Sequence, residues 1–554
     1  MLSQHRSLIV TSALPYANGP IHIGHLVEYI QSDIWCRYQK MHQHQCIHVC
    51  ADDAHGTAVM LRAKREKIAP AAFLSQVMHE HKTDFAGFHI DFDYYYSTDT
   101  ADNHTLCDMI YKRNRDSGHI TRRVISQAYD PEAEQFLPDR FILGTCPKCG
   151  TAEQYGDHCE ACGATYNPTE LVNPVSVISG ATPVTKESEH LFFKLSDFTE
   201  SLQQWCQANG HLQPEVANKL QEWFDTGLAD WDISRDEPYY GFPIPGEKGK
   251  YFYVWVDAPM GYIASFKKYC EGLGMDDKPH WQPESDTELY HFIGKDIITF
   301  HALFWPALLE GAGLRRPTSI FAHGFLTVNG RKMSKSRGTF IRASAYLRHL
   351  NPEYLRYYFA TRLTSGLEDI DLNFEDFVQR INSDLVGKVV NIASRCAGFI
   401  HKRCDSRLSA VCSEPKLYQA FATARHKIGD YYEQREYAKA MRCIMALADQ
   451  ANYYIDQEKP WVLAKQEGSN IALQKVCSVG LNLFRLLIFY LKPVLPIMTT
   501  EAELFLNTHF CNWSDCDKPL TNHVIKPFKP LLTRVDPTAI ETMLADTGET
   551  GRIV

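Results

Sequence analysis

The chain has 554 residues, is 45% apolar and 22% charged, and carries a formal net charge of −9. That length exceeds what one core supports and predicts three or four domains, in a composition ordinary for globular proteins. The charge excludes a protein that coats nucleic acid without selectivity, while leaving room for a local basic surface that meets one RNA. No secretory leader is legible, because "SLIVTSALP" is a short apolar run stopped by Pro15. Seventeen cysteines without a leader point to a reducing compartment, so a cytoplasmic location is expected.

Ser7 to Leu14 reads as a buried strand. From Gly24 the apolar positions Val27, Ile30, Ile34, Tyr38 and Met41 recur at three- and four-residue steps and predict a helix with one apolar face. "QCIHVCADD" reads as a second strand that ends in Asp52 and Asp53. Strand, loop, helix, strand opens a doubly wound, Rossmann-type parallel α/β sheet, whose ligands sit beyond the carboxyl ends of the strands.

Cys146, Cys149, Cys159 and Cys162 then follow as C-x2-C-x9-C-x2-C. Two residues between thiolates let a tight turn aim both sulfurs at one ion, and Gly150 and Gly163 permit that turn. Four thiolates close a tetrahedral structural zinc site and leave no position open for catalysis. Flanks rich in proline and turn residues mark this lobe as an insertion.

The parallel sheet is expected to resume at "GKYFYVWVDAP" and "ELYHFIGKDI". After about Leu350 helical periodicity takes over to roughly residue 530. "LFRLLIFYLKPVLPIM" (Leu483 to Met498) is interrupted by Arg485, Lys492 and two prolines, so it reads as a buried helix end and no membrane contact is expected. The expected division is 1–117 and 233–330 for the two halves of the catalytic domain and 118–232 for the zinc-bearing insertion. A linking segment at 331–388 and a helical domain at 389–554 complete it.

Two short motifs fall within this frame. His22-Ile23-Gly24-His25 lies at a helix start, where unpaired N–H groups and the helix dipole favour anions and Gly24 allows a ligand close to the backbone. "NGRKMSKSRG" places Lys332 and Lys335 three apart in a short loop bounded by Gly and Ser, suited to folding over a polyphosphate.

This pair resembles the class I aminoacyl-tRNA synthetases. "ALPYANGPIHIGH", "DDAHGT", "WDISRD", "FYVWVDAPMGY", "FIGKDI" and "VNGRKMSKSRG" are similar to the methionyl-tRNA synthetase family, of the bacterial type with a single zinc site, essentially from end to end. Relatives with a separate editing domain are much larger than the interval between His25 and Lys332 allows. The resemblance implies attack of the methionine carboxylate on the α-phosphate of ATP, accompanied by Mg2+, and then transfer of the methionyl group to tRNA(Met), initiator and elongator alike.

By the same resemblance His22, His25, Lys332 and Lys335 are catalytic. Gly24, Gly294, Asp296 and His323 join His22, His25 and Lys335 around ATP, with Arg235 a partner for Asp296. Methionine is assigned to Ala13, Leu14, Tyr16, Asp53, Trp255, Ala258, Pro259, Tyr262, Ile297 and His301; Asp53 meets its ammonium and Tyr262 its sulfur. Many relatives read Thr-Asp-Glu-His-Gly where this chain has Asp52-Asp53-Ala54-His55-Gly56, which leaves the role of the neighbouring acid in doubt. Asn391, Arg395, Pro460 and Trp461 are assigned to the anticodon, Asn391 and Arg395 sharing one helical face. For Trp461 the periodicity alone favours a place in the bundle core. Relatives often carry an additional C-terminal dimerising domain, and this sequence ends at "TGETGRIV" without one, so the expectation is either a monomer or a chain cut short. A synthetase-like tRNA-binding protein without catalysis is the alternative, and it would be expected to have lost one of the two phosphate motifs.

Overall fold

Leu8-Ile9-Val10 is apolar at every position, as a strand covered on both faces must be, and it forms the middle of a five-stranded parallel sheet. The computed structural model describes residues 5–138, 141–156, 159, 162, 164, 170–333 and 340–546. The strands are β1 (Ser7–Ser12), β2 (Gln45–Asp52), β3 (Tyr94–Ser97), β4 (Glu288–Gly294) and β5 (Ser319–His323), in the order β5-β4-β1-β2-β3. Val10 lies between His48 of β2 and Tyr290 of β4. The chain leaves β1 toward β2 and returns, after the insertion, on the other side of β1. The strand order therefore reverses between β1 and β4, where a doubly wound sheet opens its ligand crevice.

The helix after β1, α1 (Leu26–Met41), departs from the amphipathic expectation. Its polar Glu28, Gln31, Ser32, Asp33 and Gln39 are buried along with the apolar stripe. One side of α1 packs on β1 and β2, and another meets the helices Pro352–Arg362 and Arg425–Glu433. Asp33 accepts from Arg37 at 2.8 Å and from the wholly buried Arg356 at 2.6 Å. Arg356 also donates to the carbonyl oxygens of Phe88, Pro493 and Val494, riveting the sheet domain to the helical domain.

"GKYFYVWVDAP" does not rejoin the parallel sheet. Lys250–Phe252 pairs antiparallel with Ser234–Asp236, and Val254–Asp257 is a short helix. Its alternation fits a half-covered hairpin: Phe252 turns into the core while Lys250 bonds Asp236 and Ser188. The sheet resumes instead at "ELYHFIG", as expected.

In the insertion, Ile120–Asp130 runs antiparallel to Val184–Phe193 over its whole length. A small sheet of Ile142–Thr145, Gln154–Tyr155 and Val172–Ser176 carries the knuckles. The last third is helical, led by α2 (Asn391–Arg403), α3 (Tyr437–Glu458) and α4 (Asn470–Leu491). α4 is long and apolar enough to cross a membrane by length and composition, but 78% of that stretch is buried here as a core helix. It stops just ahead of Pro493, and a new helix begins at Pro496.

Candidate active site and metal centre

A cleft of about 690 Å³ opens at the carboxyl ends of β1, β2, β4 and β5. The segment after β1 supplies Ala13, Leu14 and Tyr16, and the end of β2 supplies Asp53. Trp255 comes from the short helix, Gly294, Asp296 and Ile297 follow β4, and His323 ends β5. His22, Gly24, His25 and Lys332 complete the expected set that reaches the cleft. Lys335 lies outside the described residues.

The rings of His22 and His25 stack with centroids 3.5 Å apart. The Gly24 N–H donates to Nδ1 of His22 at 3.1 Å, and the His22 N–H donates to Nδ1 of His25 at 3.3 Å. Both Nδ1 atoms accept, so in the neutral form of each ring the proton sits on Nε2. A Cβ at position 24 would come within 2.3 Å of the Met333 methyl and 3.0 Å of the His22 ring, so glycine lets the second motif close onto the first. Backbone bonds from Ile23 to Ile341 and from Ala343 to Ile21 tie the segment beyond that loop to the histidine motif.

Four of the expected methionine residues stand behind the cleft wall: Ala258, Pro259, Tyr262 and His301 are buried and do not line it. Nδ1 of His301 faces the Ile297 carbonyl at 3.1 Å and must donate, so Nε2 accepts from the Tyr262 hydroxyl at 2.8 Å. Burial holds His301 down to about 4, and hence neutral. Arg235 does not meet Asp296. It sits 3.3 Å from Asp232 and stacks 3.8 Å above the Tyr253 ring, because its strand is folded into the hairpin.

Asp53 is the acid most exposed to change by a ligand. Burial, with Asp257 adding repulsion, pushes its pKa well above the usual carboxylate range. Its Oδ1 is buried without a hydrogen-bond partner among the described residues, as suits a site awaiting a cation. Beside it His55 touches Asp257 through Nδ1 and Asp99 through Nε2. Burial opposes charge on this ring, but the two carboxylates lift it to about 10, so it is a fixed imidazolium. Asp52 serves elsewhere: it accepts from His81 at 2.6 Å and from the Tyr95 hydroxyl.

Glu28 was not singled out from the sequence. It lines the cleft one turn into α1, its Oε2 lies 3.6 Å from His323 Nε2, and Oε1 has no partner among the described residues. Burial raises it to about 7 against the pull of His323. An acid in the first turn after a phosphate motif was the available signal. Phe325, Thr327, Phe340 and Asp369 also line the cleft, and no local pattern marked them.

The four cysteine sulfurs lie within 4.8 Å of one another. Cys146 and Cys162 are 3.9 Å apart and Cys149 and Cys159 3.5 Å. A tetrahedron with metal–sulfur bonds of about 2.3 Å has edges near 3.8 Å, so the set fits one tetrahedral ion. The amides of Lys148 and Cys149 point at Cys146 Sγ and that of Cys162 at Cys159 Sγ, stabilising thiolates in each knuckle.

Some 60 residues along the chain from one another, α2 and the end of α3 bring the remaining candidates together. Arg395 pairs with Asp456 and lies 4.5 Å over the Trp461 ring. Asn391 donates to Asn452 at 3.3 Å, and Pro460 is buried. Trp461 is 36% exposed, which overturns the bundle-core expectation: its helix lies outside the bundle's apolar centre.

A family model for class I tRNA synthetases (M) matches residues 8–397, and one for the anticodon binding domain of methionyl tRNA ligase matches residues 409–527. Among solved structures the chain is similar to Mycobacterium tuberculosis methionyl-tRNA synthetase in complex with methionyl-adenylate, at 25% identity and a TM-score of 0.78 over 95% of this chain and 99% of that one. A second structure of that enzyme, bound by methionyl-adenylate, matches at 25% identity and a TM-score of 0.78 over 95% of this chain and 100% of that one. The apo form, at 23% identity with a TM-score of 0.73 over 96% and 99%, shares the fold. The match runs from β1 across the cleft, the knuckles and most of α2, and the chain belongs to the class I tRNA synthetases (M), as a methionine–tRNA ligase that activates methionine with ATP and charges tRNA.

Proposed function

We propose that adenylate formation takes place in the cleft between β1 and β4, with the triphosphate of MgATP over His22, Gly24 and His25 and the adenosine beside Gly294, Asp296 and His323. The observation that supports this reading is the close approach of Met333 to Gly24, which sets Lys332 and Met333 beside the two imidazoles of the histidine motif. The methionine carboxylate attacks the α-phosphorus, the bond to the β-phosphate oxygen breaks, and pyrophosphate leaves. No protein nucleophile takes part; Lys332 and Lys335 hold the loop and balance charge on the transferring phosphoryl group. Asp53 binds the ammonium group, and Leu14, Tyr16, Trp255 and Ile297 enclose the thioether, backed by Tyr262 and His301. Trp461 and Arg395 receive anticodon bases by stacking and hydrogen bonding, flanked by Asn391 and Pro460.

The ion at Cys146, Cys149, Cys159 and Cys162 is zinc in this reading, and it organises the insertion without entering the chemistry. The domains divide at 117, 232, 330 and 388, and the chain acts as a cytoplasmic monomer on initiator and elongator tRNA(Met). ATP–pyrophosphate exchange without tRNA, run with each of the twenty amino acids, tests the reading. Exchange should rise with methionine alone and fall by about a hundredfold or more in Lys335→Ala. Exchange with another amino acid refutes the pocket, and exchange with none refutes the site.

A further inference from the structure

His81, on the helix Pro70–Gly87, is wholly buried against the loop that leads to His22. Its Nε2 lies 2.8 Å from the Gly19 carbonyl oxygen and its Nδ1 2.6 Å from Asp52 Oδ1. A carbonyl only accepts, so Nε2 carries a proton. Nδ1 faces a carboxylate oxygen that already accepts from the Tyr95 hydroxyl, so it donates as well. Both nitrogens donate, and the ring is an imidazolium sealed from water.

The loop it grips is held at its first half by backbone bonds between Pro15, Ala17 and Asp53, and at Ile21 by Ala343. Gly19, between these anchors, has the His81 ring as its support. The groups that act on His81 are Asp52 from β2, which also accepts from Tyr95 of β3, His25 just ahead of α1, and Phe85 and Asp84 from its own helix. Burial works against its charge, but the bond to Asp52 and that residue's field lift its pKa above the ordinary value. Burial in turn holds Asp84 up to about 6, and Asp52 is the carboxylate in hydrogen-bond contact with the ring.

We propose that His81 is a positioning residue for adenylate formation: a buried cation that fixes Gly19, and through it the approach of His22 and His25, and sets positive charge behind the phosphates of ATP. The inference rests on the reading of the cleft as the ATP site. Neither the phosphate motifs nor the methionine pocket includes this residue, and it touches no substrate.

Exchange kinetics of the full chain test it, with ATP and methionine varied separately between about pH 5 and 9. His81→Gln keeps one hydrogen bond and loses the charge. It should raise KM for ATP or lower kcat by about tenfold, the scale of a bond to a charged group, and leave KM for methionine within about twofold. Asp52→Asn removes the counter-ion. Its KM for ATP should acquire an added inflection below the ordinary histidine value of about 6.5, since burial then acts on the ring without its counter-ion. KM should rise above that inflection, and the unaltered protein should lack it. Unchanged ATP kinetics in His81→Gln, or equal rises in both KM values, overturn the inference. If His81→Gln does not fold, the Asp52→Asn profile decides, and a profile identical to that of the unaltered protein overturns it. Exchange in the unaltered protein matched by His81→Gln defeats this inference alone, whereas no exchange in the unaltered protein defeats the ATP reading and this inference with it.

Discussion

Two charged and buried regions of this molecule are built to opposite rules. At the joint between sheet and helices, Arg356 spends its donors on Asp33 and the carbonyls of Phe88, Pro493 and Val494, and Asp33 has Arg37 as well. In the cleft, Asp53 Oδ1, Glu28 Oε1 and His323 Nε2 have no hydrogen-bond partner among the described residues. The joint is closed by its own hydrogen bonds, whereas the cleft keeps buried carboxylate oxygens that a ligand can meet, and unpartnered atoms elsewhere, such as those of Gln39 and Asn114, do not line it. The contrast is one of place: three unpartnered atoms converge on one cleft, while those of the scaffold are scattered.

It can be broken at four points. Arg356→Met strands Asp33 with one guanidinium, and should lower unfolding free energy by on the order of 3 kcal/mol in urea titration while the folded fraction keeps its exchange activity. Asp53→Asn should do the reverse, raising KM for methionine by about 10- to 100-fold with no loss in melting temperature. Because burial and Asp257 raise the pKa of Asp53, the unaltered protein should show KM for methionine climbing as pH falls, and Asp53→Asn should lose that dependence. Arg395→Gln should cut kcat/KM for tRNA charging by about tenfold and leave pyrophosphate exchange intact, since the contact with Trp461 lies outside the cleft.

The smallest effect concerns His55. Its folded pKa of about 10 exceeds the unfolded value, so its contribution to stability is complete below about pH 6.5 and is lost as pH rises through the folded value. The melting temperature of the unaltered protein should therefore fall more steeply between neutral and alkaline pH than that of His55→Asn.

Features carried by neighbouring residues were legible in the sequence. The apolar run before His22, the knuckle spacing and the turn of chain at Gly24 each need only a few consecutive positions to declare themselves. That β1, β2 and β4 belong to one parallel sheet followed from the same local signals. What misled was position across the sheet. "GKYFYVW" has a strand's composition, but pairing with Ser234–Asp236 rather than with β1 is settled by residues far along the chain. Tyr262 and His301 carry the right chemistry for a thioether pocket, yet they sit one layer behind its wall. Glu28 escaped notice because α1 was read as having a solvated face, when helices from the last third cover it. Trp461 erred in the other direction, since its apolar ring is left at the surface beside Arg395.

α4 has a history as well as a place. Its 22 residues would expose a long apolar face if left uncovered in a growing polypeptide, an invitation to aggregation. The helices it packs against most closely, α2 and α3, precede it, so the ribosome releases it into a groove already made. Moving that segment ahead of its partners, as a circular permutation would, should turn an orderly nascent chain into a client for chaperones.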